Sequence, residues 1–281
     1  MGKGFAAGGA EKRTIIIMKK FKSFFMTMLA VAVCCGFTAC GDDDDDDEPG
    51  NDEPGWTPGS TDMTGIPTAG TTPDALLGEW EFSEIDEDGD PVTMTFRFKH
   101  NGVCSVNMDD YSTTLASCNA SGNNLRIDMG YMVFDGSYSI SGDKLTYNVK
   151  MSFLDEPGSF TTKITLHKVS ENTGYEPAKV SGAILGAWYH SFEENLDGEY
   201  YYIGHRITFL SNGLGQYLQT EKRGNGDEEL IPFYFAYSAD NGVISTYDAN
   251  GNETNLFLNG AYSISGNELT FASSAYTFTR K

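Results

Sequence analysis

The chain repeats itself after residue 74, and this duplication limits the folds open to it more than any other feature of the sequence. Three short motifs occur twice in the same order, as Leu77–Trp80 and Leu185–Trp188, Phe98–Gly102 and Phe209–Gly213, and Tyr138–Gly142 and Tyr262–Gly266. The separation between the copies grows from 108 to 111 to 124 residues, so the second copy has the longer loops. We therefore predict two homologous domains, at residues 75–170 and 183–281, joined by residues 171–182.

Each copy carries apolar residues at every second position over several short segments. Val92, Met94, Phe96 and Phe98 form one such series, and Asn-Gly or Ser-Gly pairs separate the segments. A period of two indicates half-buried antiparallel strands, and these dipeptides are typical of hairpin turns. About eight strands fit into each copy, and no window has a helical period. Because a sheet of many short sequential strands removes its edges by closing, the predicted fold is all-β, with two tandem small antiparallel up-and-down β-barrels.

The first strand of each copy contains a Gly-x-Trp sequence, which ends at Trp80 and at Trp188. This motif resembles the opening motif of lipocalins and of the small lipocalin-like domains of Bacteroidota lipoproteins. The resemblance implies that each tryptophan closes the base of its barrel and that a basic residue near the end of the last strand packs over its ring. Lys168 and Arg280 stand at the matching positions. The implied role of all four residues is structural, since a cation over an aromatic face contributes about 0.5–2 kcal/mol.

Residues 1–39 have the layout of a cleaved signal peptide. A start at Met18 places three lysines before a short apolar run, so residues 1–17 are predicted to be an over-extended start. The run is too short to span a bilayer as a mature helix, and an uncleaved anchor helix is the alternative. Residues 37–40 resemble the lipobox of bacterial lipoproteins. This resemblance implies that Cys40 carries a lipid and becomes the mature N-terminus.

Residues 40–74 are predicted to form a lipidated cysteine followed by an acidic, disordered linker. Seven adjacent carboxylates at 42–48 repel one another and offer nothing to bury. Acidic residues directly after a lipidated cysteine resemble the export signal of Bacteroidota surface lipoproteins. The resemblance implies a lipid anchor in the outer membrane and a folded part that faces the cell exterior. A plain spacer in the periplasm is the alternative.

The mature chain is strongly anionic. Removal of residues 1–39 takes away six of the 19 basic residues and one of the 40 acidic residues, which leaves 13 against 39 and a net charge of −26. We therefore expect no binding to nucleic acid, whose phosphates need Lys and Arg.

The sequence lacks motifs of known catalytic chemistry. The four histidines, at positions 100, 167, 190 and 205, are scattered, and no Gly-x-Ser-x-Gly, P-loop or Cys-x-x-Cys sequence occurs. Residues 86–90 crowd acids at a hairpin tip that could hold Ca²⁺. They lack the closing glutamate of an EF-hand loop, so a solvated tip is preferred. We expect no enzyme activity, no cofactor and no bound metal.

Cys104 and Cys118 are the only cysteines after Cys40, and they lie symmetrically about Tyr111. If residues 109–113 form a hairpin loop, the two cysteines face each other across antiparallel strands, within reach of a disulfide. An exported location permits oxidation. Two buried thiols are the preferred interpretation, because the second copy has no cysteine and the fold does not require the bond.

Aromatic residues are dense in the second copy, and strand alternation must send some of them outward. Tyr200, Tyr202 and Tyr234 are the first candidates for an exposed binding face. Exposed tyrosines suit the binding of glycans or proteins, because flat rings offer large contact areas at low cost in entropy. Ordinary packing on both faces of the barrel wall is the preferred interpretation.

These patterns together predict a lipid-anchored, non-catalytic binding lipoprotein of lipocalin-like type. Its partners would be the membrane, through the lipid, and a small apolar molecule or a glycan at a barrel mouth. One alternative is recognition or inhibition of a protein through the loops and the outer barrel wall. Hydrolysis is a less favoured alternative.

Overall fold

The structure, a computed structural model, describes residues 66–280 apart from the segments 86–90, 109–112, 155–158, 197–198 and 224–227. Residues 160, 196, 199, 200, 223 and 228 are described by their backbone alone. The described chain forms two closed antiparallel barrels of eight strands each. The predicted all-β fold of two tandem up-and-down barrels is therefore confirmed. No helix within these residues is long and apolar enough to cross a membrane.

Barrel 1 contains strands β1 to β8, each of which pairs with the next along the chain. The strands are Gly78–Ile85 (β1), Pro91–Lys99 (β2), Val103–Met108 (β3), Thr114–Ser121 (β4), Asn124–Asp128 (β5), Met132–Ser141 (β6), Lys144–Phe153 (β7) and Ser159–Ser170 (β8). The barrel closes where β1 pairs with β8, which sets Trp80 opposite Lys168. A 3₁₀ turn at Asp74–Leu76 precedes β1.

Barrel 2 repeats this order with strands β9 to β16. The strands are Gly186–Leu196 (β9), Glu199–Phe209 (β10), Leu214–Arg223 (β11), Glu228–Asp240 (β12), Val243–Tyr247 (β13), Gly260–Ser265 (β14), Glu268–Phe271 (β15) and Thr277–Thr279 (β16). The barrel closes where β16 pairs with β9. Strands β9–β12 contain 10 to 13 residues, whereas β13–β16 contain three to six. One half of the wall is therefore much taller than the other.

The hairpin turns show the internal duplication at the level of the backbone. Gly142, in the turn between β6 and β7, has a φ of 62°, and Gly266, in the turn between β14 and β15, has a φ of 61°. Residues with a Cβ rarely adopt this left-handed conformation. The turn geometry therefore favours glycine at the same place in both copies.

The base of each barrel is built around its tryptophan. Trp80 and Trp188 are fully buried, and the indole Nε1–H of each donates at 2.7 Å to the carbonyl oxygen four residues earlier. Lys168 Nζ lies 5.4 Å from the centroid of the Trp80 ring, and the guanidinium carbon of Arg280 lies 4.2 Å from that of Trp188. The structure thus places each predicted tryptophan next to its predicted cation.

The two barrels pack against each other through their outer walls. Leu115 on β4 belongs to one buried cluster with Leu214 and Ala236 of barrel 2. Beside this cluster, the side-chain amide of Asn212 donates at 2.9 Å to the carbonyl oxygen of Asn101. An apolar face on the outside of β4 and β11–β12 is therefore buried between the domains.

The joint at residues 171–182 also packs on both barrels. Lys99, which is buried on β2, donates from Nζ to the carbonyl oxygen of Thr173 at 2.8 Å. At the other end of the joint, the Val180 N–H donates to the carbonyl oxygen of Ser211 at 3.0 Å. Contacts with both barrels therefore support the joint.

The disordered linker was predicted to extend to residue 74, and for its last part this prediction is wrong. Residues 66–73, which we call the strap, run along β4 of barrel 1. The Ala120 N–H donates to the carbonyl oxygen of Thr71 at 2.9 Å. A Cβ on Gly70 would overlap the carbonyl oxygen of Cys118, and a Cβ on Gly102 would overlap Gly70. The glycines that made this segment look unstructured allow its backbone to lie this close to the barrel.

Candidate binding site at the mouth of barrel 2

The mouth of barrel 2 lies at the end opposite Trp188. Because alternate residues of a strand share a face, the inward series on β9 that begins with Trp188 continues through His190, Phe192 and Glu194. His190 lies opposite His205 on β10. Along this series the side chains change from buried to half-buried to exposed. The barrel therefore opens to solvent at this end.

Three rings inside the mouth form a surface that we call the platform: His190, Phe192 and His205. Their centroids lie 5.8 to 6.2 Å apart. The ring of Tyr276, which immediately precedes β16, stacks on the platform at 4.6 Å from His190, 5.4 Å from His205 and 5.5 Å from Phe192, with interplanar angles of 20° to 29°. Tyr276 is only partly buried. One half-exposed ring therefore covers the platform.

His205 is the most buried member of the platform, with 8% of its surface exposed. Its Nδ1 lies 2.5 Å from the hydroxyl oxygen of Tyr217, whereas its buried Nε2 has no hydrogen-bond partner among the described residues. Burial, and secondarily the nearby His190, lowers the pKa of His205 to about 4. The ring is therefore neutral at neutral pH, with one nitrogen as donor and the other as acceptor. A buried polar atom without a partner is destabilising, so Nε2 favours a ligand that brings a polar atom.

His190 is held in place by the last strand. Its Nδ1 lies 2.9 Å from the carbonyl oxygen of Thr277 on β16. A carbonyl oxygen only accepts, so Nδ1 carries the hydrogen and donates it. In the neutral ring the Nε2 of His190 is then an acceptor. The tautomer and the ring plane of this platform residue are thereby set by the closure of the barrel.

Three carboxylates lie towards the open end of barrel 2, and we call them the acidic rim: Glu194, Glu221 and Glu229. Glu221 on β11 lies directly opposite Glu229 on β12. Burial raises the pKa of Glu221, and the charges of Glu229 and Glu194 raise it further. Glu194 also contributes to a raised pKa of the Tyr276 hydroxyl, after burial, which is the main cause. The rim charges therefore act on one another and on the ring that covers the platform.

Further aromatic residues continue the lining beside His205. The ring of Tyr217 lies 5.2 Å from that of Phe233 and 5.8 Å from that of Phe257. Phe233 is on β12, and Phe257 is on the loop between β13 and β14. The mouth therefore combines a wall of rings with the buried Nε2 of His205 and the negative charge of the acidic rim.

The sequence did not single out His190 and His205 as partners, although a signal for them exists. The dipeptide Asp197-Gly198 is typical of a two-residue hairpin turn. A turn centred between these residues pairs position 190 with position 205, which is the register observed. Spacing along the chain made the histidines look scattered, whereas the hairpin brings them together.

Barrel 1 has no equivalent of the pair formed by His190 and His205, which we call the polar layer. By the repeated motifs, Phe82 stands at the position of His190 and Met94 at that of His205. Met94 is 3% exposed and points into the core with Phe96 and Phe98 on the same strand. Apolar side chains therefore occupy both positions in barrel 1.

Tyr234 was predicted to belong to an exposed binding face, and the structure corrects this. The residue is 6% exposed and lies in the apolar cluster between the two barrels. The outward face of β12 is covered by barrel 1, which sequence alternation cannot reveal. Tyr202 is partly exposed on β10, opposite Glu193 on the outer side of the wall. The side chain of Tyr200 lies outside the described residues.

Tyr234 lines a small crevice together with strap residues 66–68 and with Ser117, Arg126 and Asp128. The crevice has a volume of about 160 Å³. Pockets for small molecules typically measure roughly 300–1,000 Å³, so this crevice is better suited to a few water molecules. Burial raises the pKa of Asp128, and the N–H of Gly130 donates to its Oδ1 at 2.8 Å. We therefore assign no small-molecule site to this crevice.

Cys104 and Cys118 do not face each other, and the possible disulfide between them is not formed. The register of β3 and β4 pairs Cys104 with Ala116, so the hairpin is centred on residue 110 and not on residue 111. This difference of one residue moves the pairing by two. Both thiols are free and buried inside barrel 1. Burial raises the pKa of Cys118 to about 12 and that of Cys104 well above its usual range.

Several predicted sites lie outside the described residues. These are the signal peptide at 1–39, the lipidation site Cys40 and the acidic hairpin tip at 86–90. Within the described residues, no group of three or more His, Cys, Asp or Glu side chains is arranged to hold a metal ion.

Comparisons with known proteins add little to this geometry. No protein-family model matches the chain, and no curated protein sequence matches it. Among solved structures, the chain is similar to a protein of unknown function from the DUF3598 family of Nostoc punctiforme, at 12% identity, over 61% of this chain and 71% of that chain, with a TM-score of 0.21. A superposition this poor carries no argument about function.

Proposed function

We propose that this protein is a non-catalytic binding lipoprotein that takes up a small molecule at the mouth of barrel 2. The single observation that carries the proposal is the buried Nε2 of His205, which lies without a partner beneath a half-exposed stack of rings. Ligand sites are typically concave and aromatic, with a few polar groups that fix orientation. The mouth of barrel 2 has this composition.

The contrast with barrel 1 supports the assignment to barrel 2. Barrel 1 carries Met94 and Phe82 where barrel 2 carries His205 and His190. A methionine fills the matching position in barrel 1, so this position does not require a polar residue. Burying a histidine there is unfavourable unless its ring nitrogens form hydrogen bonds. We propose that barrel 1 serves as a filled support on which the binding barrel stands.

The anchoring part of the proposal rests on the sequence. We propose that Cys40 carries the lipid, that the anchor lies in the outer membrane and that both barrels face the cell exterior. Metabolic labelling with a palmitate analogue tests the anchor, since Cys40→Ala should abolish the label. Protease treatment of intact cells tests the orientation, because a protein that is cleaved only after lysis would face inward.

Histidine-selective NMR tests the binding site directly, because the chain has only four histidines. His190 and His205 belong to the platform, whereas His100 and His167 lie on barrel 1 and serve as internal controls. We expect a mixture of small ring-containing and apolar molecules, added to the full-length protein in detergent, to shift the resonances of His190 and His205 alone. If a broad set of such molecules moves none of these signals, the mouth of barrel 2 is not a binding site.

A further inference from the structure

The platform is already shaped for a flat ring, because a tyrosine ring lies on it. The three platform rings are within 30° of the plane of Tyr276. Aromatic rings at these separations prefer offset stacking, which places a partner ring at about this distance. Tyr276 is partly exposed and is held by a short turn in which its N–H bonds to the Ser274 hydroxyl at 3.0 Å. A ligand ring of similar size would therefore meet the same platform once Tyr276 moves aside.

The carboxylates of the acidic rim favour a positive charge on such a ligand. The charges of Glu194, Glu221 and Glu229 make the electrostatic potential at the rim more negative. Among the described side chains, no lysine or arginine forms an ion pair with any of the three. Like charges that crowd together disfavour their own ionised forms, so a bound cation would relieve this repulsion. A cation near aromatic faces gains a further attraction from the rings.

The geometry of strand β9 sets the distance between the platform and the acidic rim. Phe192 of the platform and Glu194 of the acidic rim are separated by two residues on β9, and both belong to the inward series. Two residues of an extended strand cover about 7 Å. In a ring joined to an amine by a short arm of about two carbons, the nitrogen lies within hydrogen-bonding reach of a carboxylate at this distance.

We infer that the mouth of barrel 2 binds a planar aromatic amine, whose ring takes the place of Tyr276 on the platform and whose ammonium group lies at the acidic rim. This inference rests on the proposed function of the same site and names the chemical class of its ligand. His205 Nε2 then lies beneath the ligand, where a polar substituent on the ring would meet it.

Three probes of equal ring size separate the effect of charge from that of shape: 2-phenylethylamine, 2-phenylethanol and 3-phenylpropanoate. We expect the amine to shift the His190 and His205 resonances of the full-length protein at a concentration at least about tenfold below that needed for the alcohol, whereas the acid causes no shift. The affinity of the amine should fall with added salt, because exposed charges are screened.

Two matched variants on β9 test whether the carboxylate of Glu194 binds the ammonium group. Glu194→Gln should weaken the binding of 2-phenylethylamine about tenfold and leave that of 2-phenylethanol unchanged. Glu193→Gln is the control, since Glu193 is exposed on the opposite face of the same strand and removes the same net charge. Equal weakening by both variants would mean that only the total charge of the protein matters, and it would overturn the inference.

Tyr276→Ser tests the exchange of rings. The variant removes the side chain that occupies the platform, so 2-phenylethylamine should bind more tightly, and a loss of binding would overturn the exchange. If the alcohol or the acid shifts His190 and His205 as strongly as the amine, the site binds ligands and only the amine class is wrong. If none of the three probes shifts these signals, the amine class is wrong, and the wider set of molecules described above decides the proposed function.

Discussion

Barrel 1 and barrel 2 share a base and differ in the side chains that lie above it. Each base has a buried tryptophan with a cation over its ring. Above the base, barrel 1 is apolar at the positions where barrel 2 carries His190 and His205. The two copies therefore have the base in common and differ in the layer above it.

A second difference lies in how the two barrels fill the same volume. Cys104 faces Ala116 across β3 and β4, and the matching pair in barrel 2 is Gly215 and Phe235. The Phe235 ring lies where a Cβ on Gly215 would stand. Two small residues in one copy correspond to one very small and one very large residue in the other, so the two interiors are packed by different means.

The largest expected effect tests the shared base. Trp188→Ala should destabilise barrel 2 by about 3–5 kcal/mol, because it removes a fully buried ring and its hydrogen bond. Trp80→Ala should have a similar effect in barrel 1. Chemical denaturation measures both, with Trp56→Ala in the predicted linker as the control. A well-folded Trp188→Ala protein of unchanged stability would show that the base is dispensable.

The next effect tests the polar layer through pH. The folded-state pKa of His205 is about 4, below the ordinary value of 6.5. Between these values the unfolded chain binds a proton that the folded chain does not, so stability falls as the pH falls. The stabilisation is complete above pH 6.5 and is lost as the pH passes down to 4, with a total on the order of 3 kcal/mol.

His205→Met supplies the matched control for this pH effect, because it installs the residue that barrel 1 carries. Denaturant titrations of both proteins at pH 7 and pH 4 give the comparison. The variant should lose less stability on acidification than the parent protein. Equal losses would mean that His205 is not buried in its neutral form.

A smaller effect tests the different packing of the two interiors. Gly215→Cys copies Cys104 into barrel 2, where its side chain would overlap the Phe235 ring. Overpacking of this kind costs roughly 1–3 kcal/mol. In the double variant with Phe235→Ala, which copies the whole pair from barrel 1, the overlap disappears. A double-mutant cycle should therefore show a favourable coupling of about 0.5–3 kcal/mol, and additive effects would contradict this account.

The smallest effect compares the two cations. Arg280→Met should destabilise barrel 2 by about 1–2 kcal/mol, because the guanidinium lies close to the ring and also donates to the carbonyl oxygens of Ala183 and Leu185 at 2.6 and 2.8 Å. Lys168→Met should cost less, about 0.5 kcal/mol, since the ammonium group is farther from Trp80 and pairs with exposed Glu171. Thermal unfolding of the two variants, with exposed Lys163→Met as the control, ranks them. A larger loss of stability in Lys168→Met than in Arg280→Met would contradict the stronger role given to Arg280.

The strands and the duplication could be predicted because their signals are local. Alternation in segments such as 92–98 and the Ser-Gly turns at Gly142 and Gly266 each specify conformation within a few residues. The cations over the tryptophans followed from a family resemblance. Register was harder to predict, and an error of one residue in the centre of the β3–β4 hairpin was enough to misplace Cys104 relative to Cys118.

The candidate site was predicted only in part. The sequence shows that the second copy is rich in aromatic residues. It does not show that Tyr234 is buried, because the contact between the barrels joins residues far apart in the chain. His190 and His205 are 15 positions apart. Their pairing depends on a hairpin, and the contact of Tyr276 with both depends on the closure of the barrel.

The sequence by itself determined that this chain forms two similar closed sheets, because period-two patterning and turn chemistry act over short distances and occur in both copies. Only the tertiary structure decided which faces are buried between the barrels, which rings meet at the open end and which polar atom remains without a partner. These features depend on strand register and on contacts between distant segments. A one-residue change in register moves every side chain to the other face of the sheet, and no local pattern encodes that choice.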